Sequence, residues 1–336
     1  MSDFRIDQIT NQAGTAGPQI AGITTFSSSS GLVMPSGATE YRGGRGRSIR
    51  AGGIITSPAT ARVNVIDYVT ISTLGNASDF GDLSAAAAQG GGCASSVRGI
   101  FGGTTPNGST TTNNIEYITI SSTGNAFDFG DFPQLGLERR SASNSTRGIF
   151  FGYGVNPLAY SEIDYITIAT LGNASKFGDL TSISQLGNSL ASPTRAVHAI
   201  GLATSNALEY ITISTLGNGQ DFGDLSAPAN GVAACSSSVR GLFAGGYSGG
   251  NRNVIDYITI ASIGDALDFG DLITAGNQKT GTSSQVRGLF QGAAVVTNVI
   301  EYVTIASTGN SQDFGDATQA MGYAMGCSDS HGGLGD

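Results

Sequence analysis

The sequence predicts an all-β fold: a six-bladed β-propeller with an extended N-terminal arm, the ring closed by the C-terminal strand. Three observations carry this. First, a block of about 48 residues returns six times, built on an Ile-Asp/Glu-Tyr-Ile/Val-Thr-Ile strand and a Phe-Gly-Asp (Leu208 replaces the first Ile in the fourth copy). Its tyrosines are Tyr68, Tyr117, Tyr165, Tyr210, Tyr257 and Tyr302, and an aspartate follows each 14 positions later: Asp82, Asp131, Asp179, Asp224, Asp271 and Asp316. Second, a Val/Thr-Arg-Gly-Ile/Leu-Phe segment sets Arg98, Arg147, Arg240 and Arg287 16 residues after the preceding aspartate, with Arg195 in a degenerate Arg-Ala-Val-His copy. Third, all length variation falls in one interval. Counted from Arg47, arginine to next tyrosine is 21, 19, 18, 15, 17 and 15 residues. Surface loops tolerate insertions and packed strands do not, so each unit has one variable loop, all on one face.

The elements follow in order. Ile66–Ile71 is almost wholly β-branched or aromatic and reads as a strand. Its apolar residues occupy both parities, which suits a strand covered on both sides. Ser-Thr-Leu-Gly-Asn then reads as a tight hairpin turn. A short strand through Phe80 and Leu83 completes that hairpin, Gly90–Ser96 forms another strand, and Arg98–Gly102 a fourth. Four short strands per unit make a propeller blade. The Ala85–Ala88 run is too short to nucleate a helix.

Ring closure is legible at the ends. Cys93 and Cys235 each precede their arginine by five residues, and Cys327 follows Asp316 by 11 as Cys93 follows Asp82. Met325–Ser330 therefore reads as the first strand of a further blade. The first unit begins poorly, at Arg42–Gly46. The expectation is that the C-terminal strand completes blade one and removes a sheet edge. A partial seventh blade is the alternative.

Composition narrows the function classes. The chain has 336 residues, 12% of them charged, 51 glycines and net charge −9. With no basic run interleaved with aromatics, nucleic acid is not an expected partner. Arg42, Arg45, Arg47 and Arg50 cluster where arm meets ring and read as partners of acidic groups on the ring or a neighbour. No stretch approaches the ~20 apolar residues of a membrane helix, so no membrane insertion is expected. The first residues lack a signal peptide's apolar core. The three cysteines are not expected to form disulfides, which fits assembly in a reducing cytoplasm. Residues 1–46 break the repeat and read as an extended arm that orders against a partner; the ring spans 47–336.

No catalytic constellation appears. His198 replaces the strand phenylalanine of the fourth copy and reads as a packed side chain; His331 stands near the terminal strand. Neither has metal-ligand spacing, and the expectation is no metal, no cofactor and no enzyme activity. Asp-Phe-Gly-Asp could offer two carboxylates to calcium, but Lys176 breaks the pattern in copy three, favouring a structural role. That role has the repeat arginines capping backbone carbonyls or the Asp82-type carboxylates. Glycine-rich runs such as Gly90–Gly92 precede no helix and do not read as phosphate loops. No polar cluster unique to one blade stands out. Binding is expected in the variable loops, at Asn107, Asn113, Tyr153, Asn156, Tyr160, Tyr247, Asn251 and Arg252.

Arg-Gly-Ile-Phe-Gly-Gly at Arg98–Gly103, followed by a variable loop and Ile-Glu-Tyr at Ile115–Tyr117, resembles the kelch family across roughly residues 47–336. Kelch blades carry a tryptophan where this chain has Phe80, Phe129, Phe177, Phe222, Phe269 and Phe314. The wording of the 115–131 block and of Ser145–Gly152, and the opening Asn11–Arg47, are similar to virion structural proteins of marine, cyanophage-type bacteriophages. That resemblance implies a virion protein assembled in the host cytoplasm, with other virion proteins as partners of residues 1–46. It implies a decoration, tail-fibre or host-attachment role for the ring and allows a homo-oligomer. The alternative is a carbohydrate-binding adhesin that meets a host surface glycan through the variable loops.

Overall fold

Strand segments need partners for every backbone amide and carbonyl, and each repeat supplies enough strands for one small sheet. The computed structural model describes residues 46–106, 110–155, 157–202 and 205–335; the arm, Asn107 and Asn156 lie outside the described residues. Among the described residues twenty-four strands form six antiparallel four-stranded sheets. Blade one holds β1 (Arg47–Ile55), β2 (Ala61–Thr70), β3 (Ser78–Ala87) and β24 (Met325–Ser328). Blade two holds β4 (Gly91–Ala94), β5 (Arg98–Gly102), β6 (Thr112–Thr119) and β7 (Phe127–Gly136). Blade three holds β8 (Arg140–Ser143), β9 (Arg147–Val155), β10 (Leu158–Thr167) and β11 (Ser175–Ser184). Blade four holds β12 (Asn188–Ala191), β13 (Arg195–Ala199), β14 (Ala207–Thr212) and β15 (Gln220–Asp224). Blade five holds β16 (Ala233–Ser236), β17 (Arg240–Ala244), β18 (Val254–Thr259) and β19 (Leu267–Asp271). Blade six holds β20 (Thr280–Ser283), β21 (Arg287–Gln291), β22 (Val299–Thr304) and β23 (Gln312–Asp316).

The first strands of the blades, with β24 standing in for blade one, touch one another around the axis. β24 pairs antiparallel with β1 from Ser48 opposite Ser328 to Ala51 opposite Met325. Closure by the C-terminal strand is therefore the arrangement, and there is no seventh blade among the described residues. The Arg47 amide adds a hydrogen bond to Asp329 Oδ1, at 2.8 Å.

The Gly-Asn pair does not make the expected tight hairpin. Seven residues, 71–77, join β2 to β3. In them Gly75 N–H donates to the Phe314 carbonyl of blade six (3.0 Å) and Ala77 N–H to the Asp316 carbonyl (2.7 Å). The same step docks Gly124 on Phe80, Gly172 on Phe129, Gly217 on Phe177, Gly264 on Phe222 and Gly309 on Phe269. The asparagine is used across the same seam: Asn76 Oδ1 accepts from the Asp316 amide and Asn125 Oδ1 from the Asp82 amide. The glycine of Phe-Gly-Asp is demanded by this approach. Gly81 has φ 151°, and a Cβ there would strike the Gly124 carbonyl.

The repeated residues now have assigned roles. Each phenylalanine of Phe-Gly-Asp meets its blade's tyrosine edge to face, as Phe80 meets Tyr68 at 5.8 Å. Each arginine lies over that tyrosine, Arg98 over Tyr117 at 4.6 Å, and donates to a carbonyl of the next blade, Arg98 Nη1 to Ile168 at 2.7 Å. Arg47, Arg147, Arg195, Arg240 and Arg287 do the same to Ile120, Ile213, Ile260, Ile305 and Ile71, which completes the circle. Of the two acceptors expected for these arginines, the carbonyl is the one used. Asp82 and its five equivalents contribute their amide N–H to the seam and stand half-buried or exposed at the rim. Those six, together with Asp79, Asp128, Asp221, Asp268, Asp313 and Lys176, put a charge of −10 on the outermost strands, against −9 for the chain. Such a belt protects the open sheet edges from pairing with other chains.

The repeated carboxylates that are buried are instead those before each tyrosine, and five of the six bond the preceding blade. Ser84 donates to Glu116, Thr181 to Glu209, Ser226 to Asp256, the Ile273 amide to Glu301 and Thr318 to Asp67. Apolar packing crosses the seams too: Ile100, Phe129 and Phe132 of blade two pack with Phe150 and Ile166 of blade three. The three cysteines are buried and free. Each packs its sulfur at a next-blade glycine, Cys93 at Gly148, Cys235 at Gly288 and Cys327 at Gly99. Burial pushes the Cys93 thiol up to about 12.

Deleting residues 320–336 is expected to lower the thermal midpoint by at least ~5 °C, because it removes β24 and reopens the β1 edge. Circular dichroism melts check this, and an unchanged midpoint would refute the latch. Gly130→Ala, at φ 147° and pressed on Gly172, should cost about 1–3 kcal/mol in urea unfolding.

Candidate functional site

Strand direction sorts the connections onto two faces. Gly46 accepts from the Ile71 amide, so the described chain begins on the face that carries the 71–77 connectors, the turn face. The variable connections lie at the other ends of the strands, on the loop face.

The expected loop residues fall into different settings. Asn113 is in β6 and half-buried; Tyr247 and Asn251 are exposed in a short loop and face each other as a β-bridge. Arg252 is half-buried and donates to the Ala227 carbonyl at 3.2 Å. Tyr153 and Tyr160 are not in a loop. They lie in β9 and β10, which run on as a long hairpin, and Tyr153 is 4% exposed. Their rings stack at 4.6 Å with 12° between planes, and Tyr153 Oη donates to Glu162 Oε2 at 3.0 Å.

That stack belongs to a polar cluster in blade three, which sequence reading missed. Its centre is Arg139, fully buried. Arg139 donates to Asp164 Oδ2 at 2.6 Å and to the Gln134 carbonyl at 3.1 Å. Its guanidinium carbon lies 4.3 Å from the Phe132 ring centre and 4.2 Å from that of Tyr153. A Cβ at Gly103 would occupy the space of the Arg139 side chain. Arg50 with Asp67 at 2.6 Å and Lys279 with Glu301 at 3.0 Å form comparable buried pairs in blades one and six.

At the axis the loop face narrows to a ring of backbone. Its members are the residues two before the first residue of each inner strand: Gln89, Glu138, Leu186, Gly231, Gln278 and Tyr323. All have φ between 57 and 64°, and they include every non-glycine residue of positive φ among the described residues. Amide-to-carbonyl bonds link them around the axis: Gln89 to Tyr323, Glu138 to Gln89, Gly231 to Leu186, Gln278 to Gly231 and Tyr323 to Gln278. Left-handed backbone at bulky residues is costly and gathers where geometry is over-determined, often at functional sites. Inside this ring Arg140 crosses the mouth, donating to the Gly90 carbonyl at 3.2 Å and to Gln278 Oε1 of the opposite blade at 2.7 Å. Gln89 Nε2 donates to Glu138 Oε1 at 3.0 Å. Burial raises the Glu138 carboxyl above its usual range, against the pull of Arg140.

The turn face closes the other end. Ser143, Ser236, Ser283 and Ser328 each donate to a carbonyl of the preceding blade. Past β24 the chain folds over this end as a 3-10 turn, Gly332–Leu334, capped by His331. His331 Nε2 lies 2.9 Å from the Ala94 carbonyl, and Gln285 donates to the His331 carbonyl. His331 is thus part of a plug, while the repeat arginine of blade one is Arg47. Between the two ends lies a chamber of ≈ 80 Å³ lined by the inner strands. Among the described residues no group of three His, Cys, Asp or Glu is placed to hold a metal ion.

His198 is the packed side chain expected from its position. It is fully buried, stacked on Phe151 at 4.9 Å, and bonded by Ser184 and Ser189. Burial first, and the Arg140 charge second, hold its pKa down to about 3.

No family model matches the chain and no curated protein matches it; what the structure shows is the architecture, a six-bladed β-propeller.

The buried groups make stability depend on pH and on pairing. Because His198 is depressed when folded and ordinary when unfolded, its contribution is full above pH ~6.5 and is lost as pH falls from there towards 3. His198→Phe, the residue at this position in blades two, three, five and six, should flatten that acid slope in pH-dependent urea melts. Arg139→Met strands the Asp164 carboxylate and should cost about 3–5 kcal/mol, most of it recovered in Arg139→Met/Asp164→Leu; equal losses in single and double variants would contradict the pairing.

Proposed function

We propose that this protein is a non-enzymatic structural component of a bacteriophage virion. Residues 1–46 dock it on the capsid or tail, and the ring points outward as a decoration, fibre or host-attachment module. The observation that supports this best is the opposition of the two faces. The described chain begins at Gly46 on the turn face, and every variable connection opens on the other. A ring tethered by its first residues therefore presents its variable face away from the tether. The scaffold suits such a display, because six seams of the same design hold the loops and the rim carries its charge outward. The resemblance of the repeats and of Asn11–Arg47 to marine phage virion proteins supplies the particle.

A carbohydrate-binding adhesin is the second reading, favoured by exposed Tyr247 beside Asn251, a pairing able to stack on and bond a sugar. Mass spectrometry and immunogold labelling of purified particles test the first reading: the chain should be present at fixed copy number, and its absence would overturn it. A glycan array with the isolated ring tests the second, and Tyr247→Ala should abolish any signal.

A further inference from the structure

We propose that the axial chamber is a binding site for a small inorganic anion, a halide or compact oxyanion, held by the guanidinium of Arg140. The scaffold itself does not require a charge at this position. The positions equivalent to Arg140 are Gly91, Asn188, Ala233, Thr280 and Met325, so five blades close the ring without one. Arg140 nonetheless stands on the axis, 7% exposed.

A buried charge is expected to be paired, because removing it from water is costly. Arg50, Arg139 and Lys279 are buried as deeply, and each meets a carboxylate. The six repeat arginines each lie over a tyrosine. Among the described residues Arg140 has neither kind of partner. Its two acceptors are neutral, the Gly90 carbonyl and Gln278 Oε1, and its Nε has no partner. Glu138 lies within electrostatic reach but forms no ion pair with it, and burial favours the neutral form of that carboxyl.

The surroundings supply what an anion needs and little that a cation needs. Arg140 lines the ≈ 80 Å³ chamber together with Ser141, Ser189, Thr280 and Thr282. Ser141 Oγ is buried and makes no hydrogen bond, so an unused hydroxyl donor also belongs to a residue lining the chamber. By the same measure one water needs about 10–15 Å³, so the chamber admits a halide or a compact oxyanion together with several waters. The ring of mouth residues lacks a backbone bond only between Glu138 and Leu186 among the described residues, and the anion enters there or is enclosed on folding.

The test compares salts at equal ionic strength. Refolded protein should melt at least ~2 °C higher in sodium chloride or bromide than in sodium gluconate, whose bulky organic anion is a poor match for a site suited to a halide or compact oxyanion. Arg140→Gln should abolish that difference. Crystals of the full chain grown from bromide should show an anomalous peak inside the chamber beside Arg140. Equal midpoints in the halide and gluconate salts, or a chamber holding water alone in those crystals, would overturn the proposal. Both wild-type measurements stand even where the variant fails to fold. They are also independent of whether the chain is found in virions.

Discussion

Everything in this ring depends on one contact made six times: the backbone of one blade laid against the backbone of the next. Where a connector crosses a Phe-Gly-Asp, two amides donate to the neighbour's carbonyls and an asparagine or aspartate side chain accepts from the neighbour's amide in return. A side chain on the glycine would prevent the approach. The arginine adds a second clamp nearer the axis, sitting on its own tyrosine while bonding the next blade's carbonyl. The acidic residue before the tyrosine adds a third. Seams held at three radii leave blades little freedom to tilt, and a rigid frame lets one face vary in length without disturbing the other.

Much of this was legible in the sequence, because a fixed period exposes whatever the scaffold needs. The strands and the blade count follow from invariant spacing; the same spacing pointed to the strand borrowed from residues 325–328 and to a clamping role for the arginines, while the structure chose the carbonyl over the carboxylate as their acceptor. The Gly-Asn pair misled because its chemistry fits a local turn, whereas its partner lies about one blade away; composition carries no sign of that distance. Tyr153 and Tyr160 looked like loop residues because they lie in an insertion, but a longer insertion can also extend a hairpin. The Arg139 cluster was hidden for another reason. Asp164 is matched by an Asp or Glu in each of the five other blades, and what departs from the pattern is the run Glu138-Arg139-Arg140 beside the start of β8. Three successive charges at a step where blade six places one, Lys279, and the other blades none was the available signal.

The two ends of the axis solve the same problem differently. On the loop face, strained backbone makes the closure and leaves side chains free to differ from blade to blade. On the turn face, serine hydroxyls and the folded C-terminal segment do it. Blade-specific chemistry collects at the first of these, where Arg140 and Glu138 sit within a ring otherwise set by the backbone.

The pairing of β24 with β1 also has a consequence for biosynthesis. Strands β1 to β3 leave the ribosome first but stay without their innermost partner until residues 325–328 have been made. Blades two to six can assemble in order as they emerge, each on the one before. Blade one must wait with an unpaired inner edge, and the last contact joins residues 274 to 280 positions apart, from Ala51 opposite Met325 to Ser48 opposite Ser328. Closure of the ring is therefore a late, long-range step, with a nascent edge exposed to crowding and chaperones throughout synthesis.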